Sequence, residues 1–371
     1  MEFVDLKKQY LLLEDDINSN IKNVLEHGKY INGPEIETLE DELSSYIGST
    51  GCVSTSSGTD ALMLALMALE IKPGDEVITT PFSFISTAET IIMAGAIPVF
   101  VDINPTSYNL DPTLIEKAIN EKTKAIIAVS LYGQMADFES INTIAKRNRL
   151  AVIEDGAQSF GATFREKKSC SISTIGCTSF FPSKPLGCYG DGGACFSDDL
   201  EILDKMRKIR NHGQESRYHH TLIGFNGRLD TIQAAVLLAK FEQFKSEVKK
   251  RNLVGQKYSQ KIREICPTKV RVPEILEHYT SVFAQYTIQV EHRKKIVDLL
   301  KMKGIPTSIH YPTPLHQQPA IERVLNKKES FPQAEQAAKK VLSLPMHPYL
   351  SDSDIQTVTD ALDFAFDNIE F

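Results

Sequence analysis

Thr178-Ser179-Phe180-Phe181-Pro182-Ser183-Lys184-Pro185-Leu186-Gly187, followed by Gly190-Asp191-Gly192-Gly193, places one lysine in a loop of small residues between an apolar strand and a glycine cluster. Upstream, Val152-Ile153-Glu154-Asp155-Gly156-Ala157-Gln158-Ser159 carries an acid to the end of another apolar strand. An acid at a strand end and a lysine after the next strand form the pairing that pyridoxal phosphate chemistry requires. The lysine amine forms a Schiff base with the aldehyde. The carboxylate keeps the pyridine nitrogen protonated, so the ring accepts electrons. A lone lysine is by default a solvated charge. Here two phenylalanines precede it and four glycines follow, which predicts a desolvated amine of depressed pKa and a backbone that a cofactor can approach closely.

Outward from this stretch, short apolar runs at residues 76–80, 97–101, 125–129 and 150–153 alternate with helical patterns near 60–69, 86–94, 112–119 and 140–147. Strands dense in Val and Ile, alternating with helices, predict an α/β fold with a mostly parallel sheet covered on both faces. Ligands in such folds bind beyond the carboxyl ends of the strands. An amphipathic helix is predicted over 36–47. Two tighter strands, 176–181 and 193–196, flank the lysine loop, and a long helix runs from Thr231 to about Arg251, ending in a charged segment. A division near residue 245 gives a large domain over 1–245 and a smaller α+β domain over 246–371. The latter is read as strands near 283–290 and 306–310 and helices near 294–303, 333–341 and 352–366.

The 371 residues carry a net charge of -7, which argues against a general nucleic-acid binder. A local Arg and His cluster can still hold an anionic small substrate. Six cysteines without a CxxC pair give no metal spacing and suggest reduced, partly buried thiols. The N-terminus, with Glu2 and Asp5, does not read as a signal peptide. The longest apolar stretch, Ile91 to Val101, is interrupted by Gly95 and Pro98 and is too short for a bilayer. The expectation is a soluble cytoplasmic protein with neither a metal nor a membrane or nucleic-acid partner.

Several residues become candidates through their position. Asp155 is read as the pyridinium partner, and Gln158, three residues on, can donate to the ring's phenolic oxygen. Thr55-Ser56-Ser57-Gly58-Thr59-Asp60 opens a helix with small hydroxyl residues and a glycine, which suits either plain N-capping or phosphate binding. Ser179 adds a hydroxyl near the lysine. Phe84, between a strand and a helix, suits stacking on the ring as well as it suits the core. Asn211-His212-Gly213-Gln214 and Gly224-Phe225-Asn226-Gly227-Arg228 suggest an anion-handling loop. His310-Tyr311-Pro312 puts hydrogen-bonding aromatics on a stiff turn.

Taken in order, Gly33-Pro34-Glu35, Ser57 to Leu62, Glu154 to Ser159, Ser179 to Lys184, Gly190 to Gly193, Asn226 to Leu229 and His310 to Pro312 resemble the sugar aminotransferase family often named DegT/DnrJ/StrS, essentially end to end. The resemblance implies a fold-type-I pyridoxal phosphate enzyme, similar to aspartate aminotransferase, working as a homodimer. It implies Lys184 as the Schiff-base lysine and Asp155 as the pyridinium partner. Gln158 would lie at the ring oxygen and Phe84 on the ring face, with Gly58, Thr59 and Ser179 at the phosphate. Asn226 would reach the phosphate across the dimer interface, so that each site needs both subunits.

Within the family, Ser130 to Gln134, Cys177 to Asp191, Arg217 to His220 and Leu344 to Tyr349 look most like the members that aminate UDP-2-acetamido-2-deoxy-3-oxo-D-glucuronate. Those enzymes serve bacterial surface polysaccharide. L-Glutamate is then the expected donor. Arg228, with its planar fork, is expected at the sugar carboxylate, and His310 and Tyr311 at the sugar or diphosphate. The alternative is an aminotransferase for a 4-keto sugar or a 3-keto sugar lacking the carboxylate. A sugar dehydratase is disfavoured by Lys184, since related dehydratases can carry histidine there. A DNA-binding regulator on this fold would need a basic face that the sequence does not present.

Overall fold

The computed structural model describes residues 1–369. Its centre is a seven-stranded sheet in the spatial order Gly51–Thr55, Gly193–Ser197, Ile175–Ser179, Ala151–Asp155, Thr123–Val129, Glu76–Thr79, Ile97–Phe100. Six strands run the same way. Gly193–Ser197 runs against both of its neighbours. The expected mostly parallel sheet is therefore present, and the carboxyl ends of 51–55, 151–155 and 175–179 meet at one edge, where the reversed strand begins.

Side-chain alternation explains why helices cover both faces. Ile127 and Ile153 pack with Leu62, Leu64 and Ala65 of the helix Gly58–Ala68. Their chain neighbours Ile126, Ala128 and Val152 pack with Phe138 and Ile141 of the helix Phe138–Asn148 on the other side. Each such fully buried Ile or Leu contributes about 1.5–3 kcal/mol.

A second sheet, entirely antiparallel, joins Val270–Arg271, Tyr286–Val290 and Val341–Leu344. It packs against the helices Arg293–Met302 and Asp352–Asp367 through Ile288, Leu342, Ile296, Leu300, Val358 and Leu362.

The structure corrects the sequence reading in places. The long helix does not end near Arg251 but runs from Thr231 to Ile265. The charged run before Arg251 contains no breaker, and Gly255 lies inside the helix where the Phe283 ring approaches: a Cβ there would come within 2.5 Å of it. This helix carries Phe244 into one hydrophobic cluster and Tyr258 and Ile262 into another. Residues 306–310 form no strand. A single bridge joins Ser308 to Ser343, and the chain then turns toward the site. The strand Gly51–Thr55 and the helices Leu6–Leu12, Glu14–His27 and Leu200–Arg210 form where the sequence reading above predicts no element.

All six cysteines are free, as expected, and all six are buried rather than partly so. No helix among the described residues is long and apolar enough to cross a membrane.

Candidate active site

Asp155 ends its strand, paired across the sheet with Val129 and Cys177. Ser179 ends the next strand opposite Gly193, and Gly193 faces Thr55 on its other side. Two residues after Thr55, Ser57 caps the helix Gly58–Ala68 by accepting the Asp60 N–H at 3.0 Å. The N–H groups of Gly58 and Thr59 have no carbonyl before them in the helix, so they face out of its positive end.

No side chain fits here beyond those present. A Cβ on Gly58 would lie 2.6 Å from Ser179 Cβ, and one on Gly193 would lie 2.5 Å from the Ser57 carbonyl oxygen. The result is a cradle of bare backbone beside the Ser179 hydroxyl, a form suited to phosphate.

The lysine loop is tied down at both ends. Phe180 donates its N–H to Gly192 at 2.7 Å, and Lys184 donates its own to Phe181 at 2.8 Å. From the long helix, the buried Lys240 donates to the Gly187 carbonyl at 2.7 Å and lies over the Tyr189 ring. Burial pushes the pKa of Lys184 down to about 8, against the opposing pull of Asp155. Burial likewise raises the pKa of Asp155. Thr87, donating to Oδ2 at 2.9 Å, the Ala157 N–H at Oδ1 (3.3 Å) and the charge of Lys184 oppose that rise. Loss of water thus dominates both shifts, and mutual attraction offsets part of each.

Gln158 accepts the Tyr132 N–H on Oε1 at 2.9 Å and donates from Nε2 to the Tyr311 hydroxyl at 3.0 Å. The Tyr311 ring lies 6.3 Å from that of Phe84, which is 56% exposed and so presents a free face. Burial, followed by the nearby Asp155, raises the Tyr311 pKa. Burial, followed by the Lys184 charge, lowers His310 to about 4. Lys184, Asp155, Gln158, Phe84, His310 and Tyr311 therefore form one cluster, and Gly58, Thr59 and Ser179 line the same sheet edge.

Asn226 and Arg228 stand apart. Asn226 is exposed and bridges Asn211 through its backbone. Arg228 donates to Asn211 Oδ1 at 2.6 Å, and its buried Nε has no partner among the described residues. Gly227 accepts the Ser56 N–H at 2.9 Å, so the segment passes beside the cradle. Neither side chain bonds to Lys184, Asp155 or Gln158 among the described residues.

Sequence reasoning missed four supports: Thr87, Tyr132, Lys240 and Glu154. Glu154 is fully buried and accepts from Ser130 Oγ at 2.8 Å, Ser169 Oγ at 2.7 Å and the Cys170 N–H at 2.7 Å. Its signal was legible, since strand alternation turns it away from its neighbour Asp155. Thr87 left a weaker one, three residues after Phe84 in the first turn of a helix.

Pyridoxal phosphate fits these residues group by group. Its phosphate needs the open helix start, its aldehyde the amine of Lys184, and its ring nitrogen the carboxylate of Asp155. Fold and site together thus define a pyridoxal-phosphate-dependent enzyme of the aspartate aminotransferase type. The chain belongs to the DegT/DnrJ/EryC1/StrS aminotransferase family, whose model matches residues 12–363.

Relatives agree over nearly the whole length. The chain is 50% identical over 362 residues, 98% of this chain and 99% of the relative, to the UDP-2-acetamido-2-deoxy-3-oxo-D-glucuronate aminotransferase of Pseudomonas aeruginosa. It is 41% identical over 359 residues, 97% and 96% of the two chains, to a UDP-N-acetyl-3-dehydro-alpha-D-glucosamine 3-aminotransferase of Acidithiobacillus ferrooxidans. The solved structure of S. venezuelae DesV, in complex with a ketimine intermediate, has a TM-score of 0.96 at 36% identity and covers 100% of this chain and 99% of its own.

Proposed function

We propose that the enzyme moves the amino group of L-glutamate to the C3 ketone of UDP-2-acetamido-2-deoxy-3-oxo-D-glucuronate. The product would feed bacterial surface polysaccharide, such as the O-antigen of lipopolysaccharide. The observation that carries this reading is the half-identical, end-to-end match to the Pseudomonas aeruginosa enzyme. The 3-amination named for the Acidithiobacillus ferrooxidans relative supports the position of the ketone.

The cofactor supplies, when bound, an aldehyde that carries the amino group and a ring that accepts electrons. Lys184 would hold it through its side-chain amine, and the free amine would move the proton at the donor's α-carbon. Its lowered pKa keeps a large share of the amine neutral near pH 8 and able to act as a base. Asp155 holds the proton of the ring nitrogen. Gln158 would offer Nε2 to the ring oxygen, and Phe84 would cover the ring face. Gly58, Thr59 and Ser179 bind the phosphate.

Arg228 is assigned to the sugar carboxylate and Asn226 to the phosphate of the neighbouring subunit, with both sites of a homodimer shared. Three exposed apolar side chains support burial against a second copy: Phe181, Tyr218 and Ile223, the last 87% exposed. The protein is assigned to the cytoplasm, where nucleotide sugars are made.

The test is a half-reaction. Enzyme charged with glutamate and freed of the oxoacid is mixed with 3-keto UDP-sugars with and without the C6 carboxylate, and with 4-keto sugars. Rapid return of the visible absorbance with the carboxylated 3-keto sugar alone supports the assignment. Return only with 4-keto sugars overturns the substrate and the Arg228 role together.

A further inference from the structure

Tyr132 lies in the turn Leu131–Gly133 at φ 59° and ψ -2°, a left-handed conformation that a bulky residue seldom adopts. The surroundings hold it there. Asn109 Oδ1 accepts the Leu131 N–H at 2.8 Å, and Gly133 accepts the Val282 N–H at 3.0 Å. Ser130, anchored on Glu154, accepts the Ala136 N–H at 3.2 Å. This conformation aims both ends of the residue at the site. The Tyr132 N–H goes to Gln158 Oε1, and its hydroxyl donates to the His310 carbonyl. Gln158 Nε2 then reaches the Tyr311 hydroxyl. The hydrogen bonds close a ring through Tyr132, Gln158, Tyr311 and His310, spanning 179 residues of sequence by their numbers (132 to 311).

The ring divides the labour of the site. With Oε1 of Gln158 occupied by a backbone donor, the amide has one orientation, with Nε2 toward the site. At its other end the Tyr132 hydroxyl bonds to the His310 carbonyl, its ring packs edge-on against Tyr108 at 5.4 Å, and no hydrogen bond joins it to Lys184 or Asp155 among the described residues. We propose that Tyr132 is a positioning residue for the acceptor half of the reaction, its hydroxyl fixing the segment that receives the keto sugar. This rests on the reading above that His310 and Tyr311 meet the nucleotide sugar.

Tyr132→Phe removes the hydroxyl and keeps the ring and the N–H. Its glutamate half-reaction is expected to keep the wild-type rate within about twofold, with the visible absorbance of the bound cofactor unchanged. KM for the keto sugar is expected to rise about tenfold, the effect of one lost hydrogen bond to a positioned segment. In the cofactor-free protein, amide hydrogen exchange over residues 306–314 is expected to speed up, a readout that needs no turnover. Equal losses in both halves would mean a merely structural role and overturn the inference. So would an unchanged keto-sugar KM, or unchanged exchange. If the wild-type enzyme itself rejects the keto sugar while reacting with glutamate, the substrate reading fails instead, a different result from any of these.

Discussion

The Thr87 hydroxyl donates to Asp155 Oδ2 across 2.9 Å, with Ser83 Oγ 3.0 Å behind it. Thr87 is wholly buried and Asp155 is 6% exposed. In that setting a donor on the carboxylate opposes the rise in pKa that burial imposes, so Thr87 favours the Asp155 anion, the form that the proposed contact to a ring proton requires. A hydrogen bond to a charged group is worth about 1.5–3 kcal/mol. Thr87→Val is therefore expected to slow both half-reactions about ten- to a hundredfold, and Thr87→Ser to restore most of the rate. Single-turnover kinetics check both, and a Val variant at wild-type rate would contradict this role.

Lys184 reacts with an aldehyde only as the neutral amine. Since its pKa is lowered to about 8, the rate at which cofactor-free enzyme takes up pyridoxal phosphate is expected to climb as pH rises through about 8, not through the 10.5 of an ordinary lysine. Stopped-flow absorbance reads that midpoint. Lys184→Ala is expected to show no lysine-bound absorbance and to lose at least about a thousandfold in turnover.

Gly193→Ala tests the phosphate cradle. The added methyl would sit 2.5 Å from the Ser57 carbonyl oxygen and 2.8 Å from the Gly58 N, so the helix start must shift. Cofactor affinity is expected to fall at least about tenfold, as several phosphate contacts are disturbed at once. Equilibrium dialysis measures it, and an unchanged affinity would place the phosphate elsewhere.

Acid should destabilise the fold through two histidines. Burial lowers His310 and His347 to about 4, from 6.5 in the unfolded chain. Below 6.5 the unfolded chain binds protons that the folded one refuses. The stability these groups contribute is therefore complete above 6.5 and is lost as pH falls toward 4. A plot of the urea midpoint against pH is expected to slope in that window. His347→Asn should flatten part of the slope, and an unchanged slope would contradict the assignment.

Much of the fold is legible in the sequence. The alternation of Val- and Ile-rich runs with helical patterns gave the sheet, because residues such as Ile126 and Ile127 face opposite layers and both are buried. The glycines after Lys184 signal a close approach of backbone, and at Gly193 only bare backbone fits beside Ser57. Other features leave little local trace. The helix through Arg251 carries a charged run that looks like an ending, yet it continues past Gly255, where the Phe283 ring lies close against the backbone. The strand Gly51–Thr55 is short and half polar, and its burial comes from neighbours far away in sequence. Thr87 and Tyr132 act through partners 68 and 178 residues away, which no local pattern reveals.

The most direct test of the central claim follows the nitrogen itself. Enzyme, L-glutamate labelled with a heavy nitrogen isotope, and the carboxylated 3-keto UDP-sugar are combined, and the product is examined by NMR for nitrogen coupled to a sugar carbon. The account predicts label on C3 of the UDP-sugar, with 2-oxoglutarate formed in equal amount. Label on C4, or none on the sugar while glutamate is consumed, would contradict it.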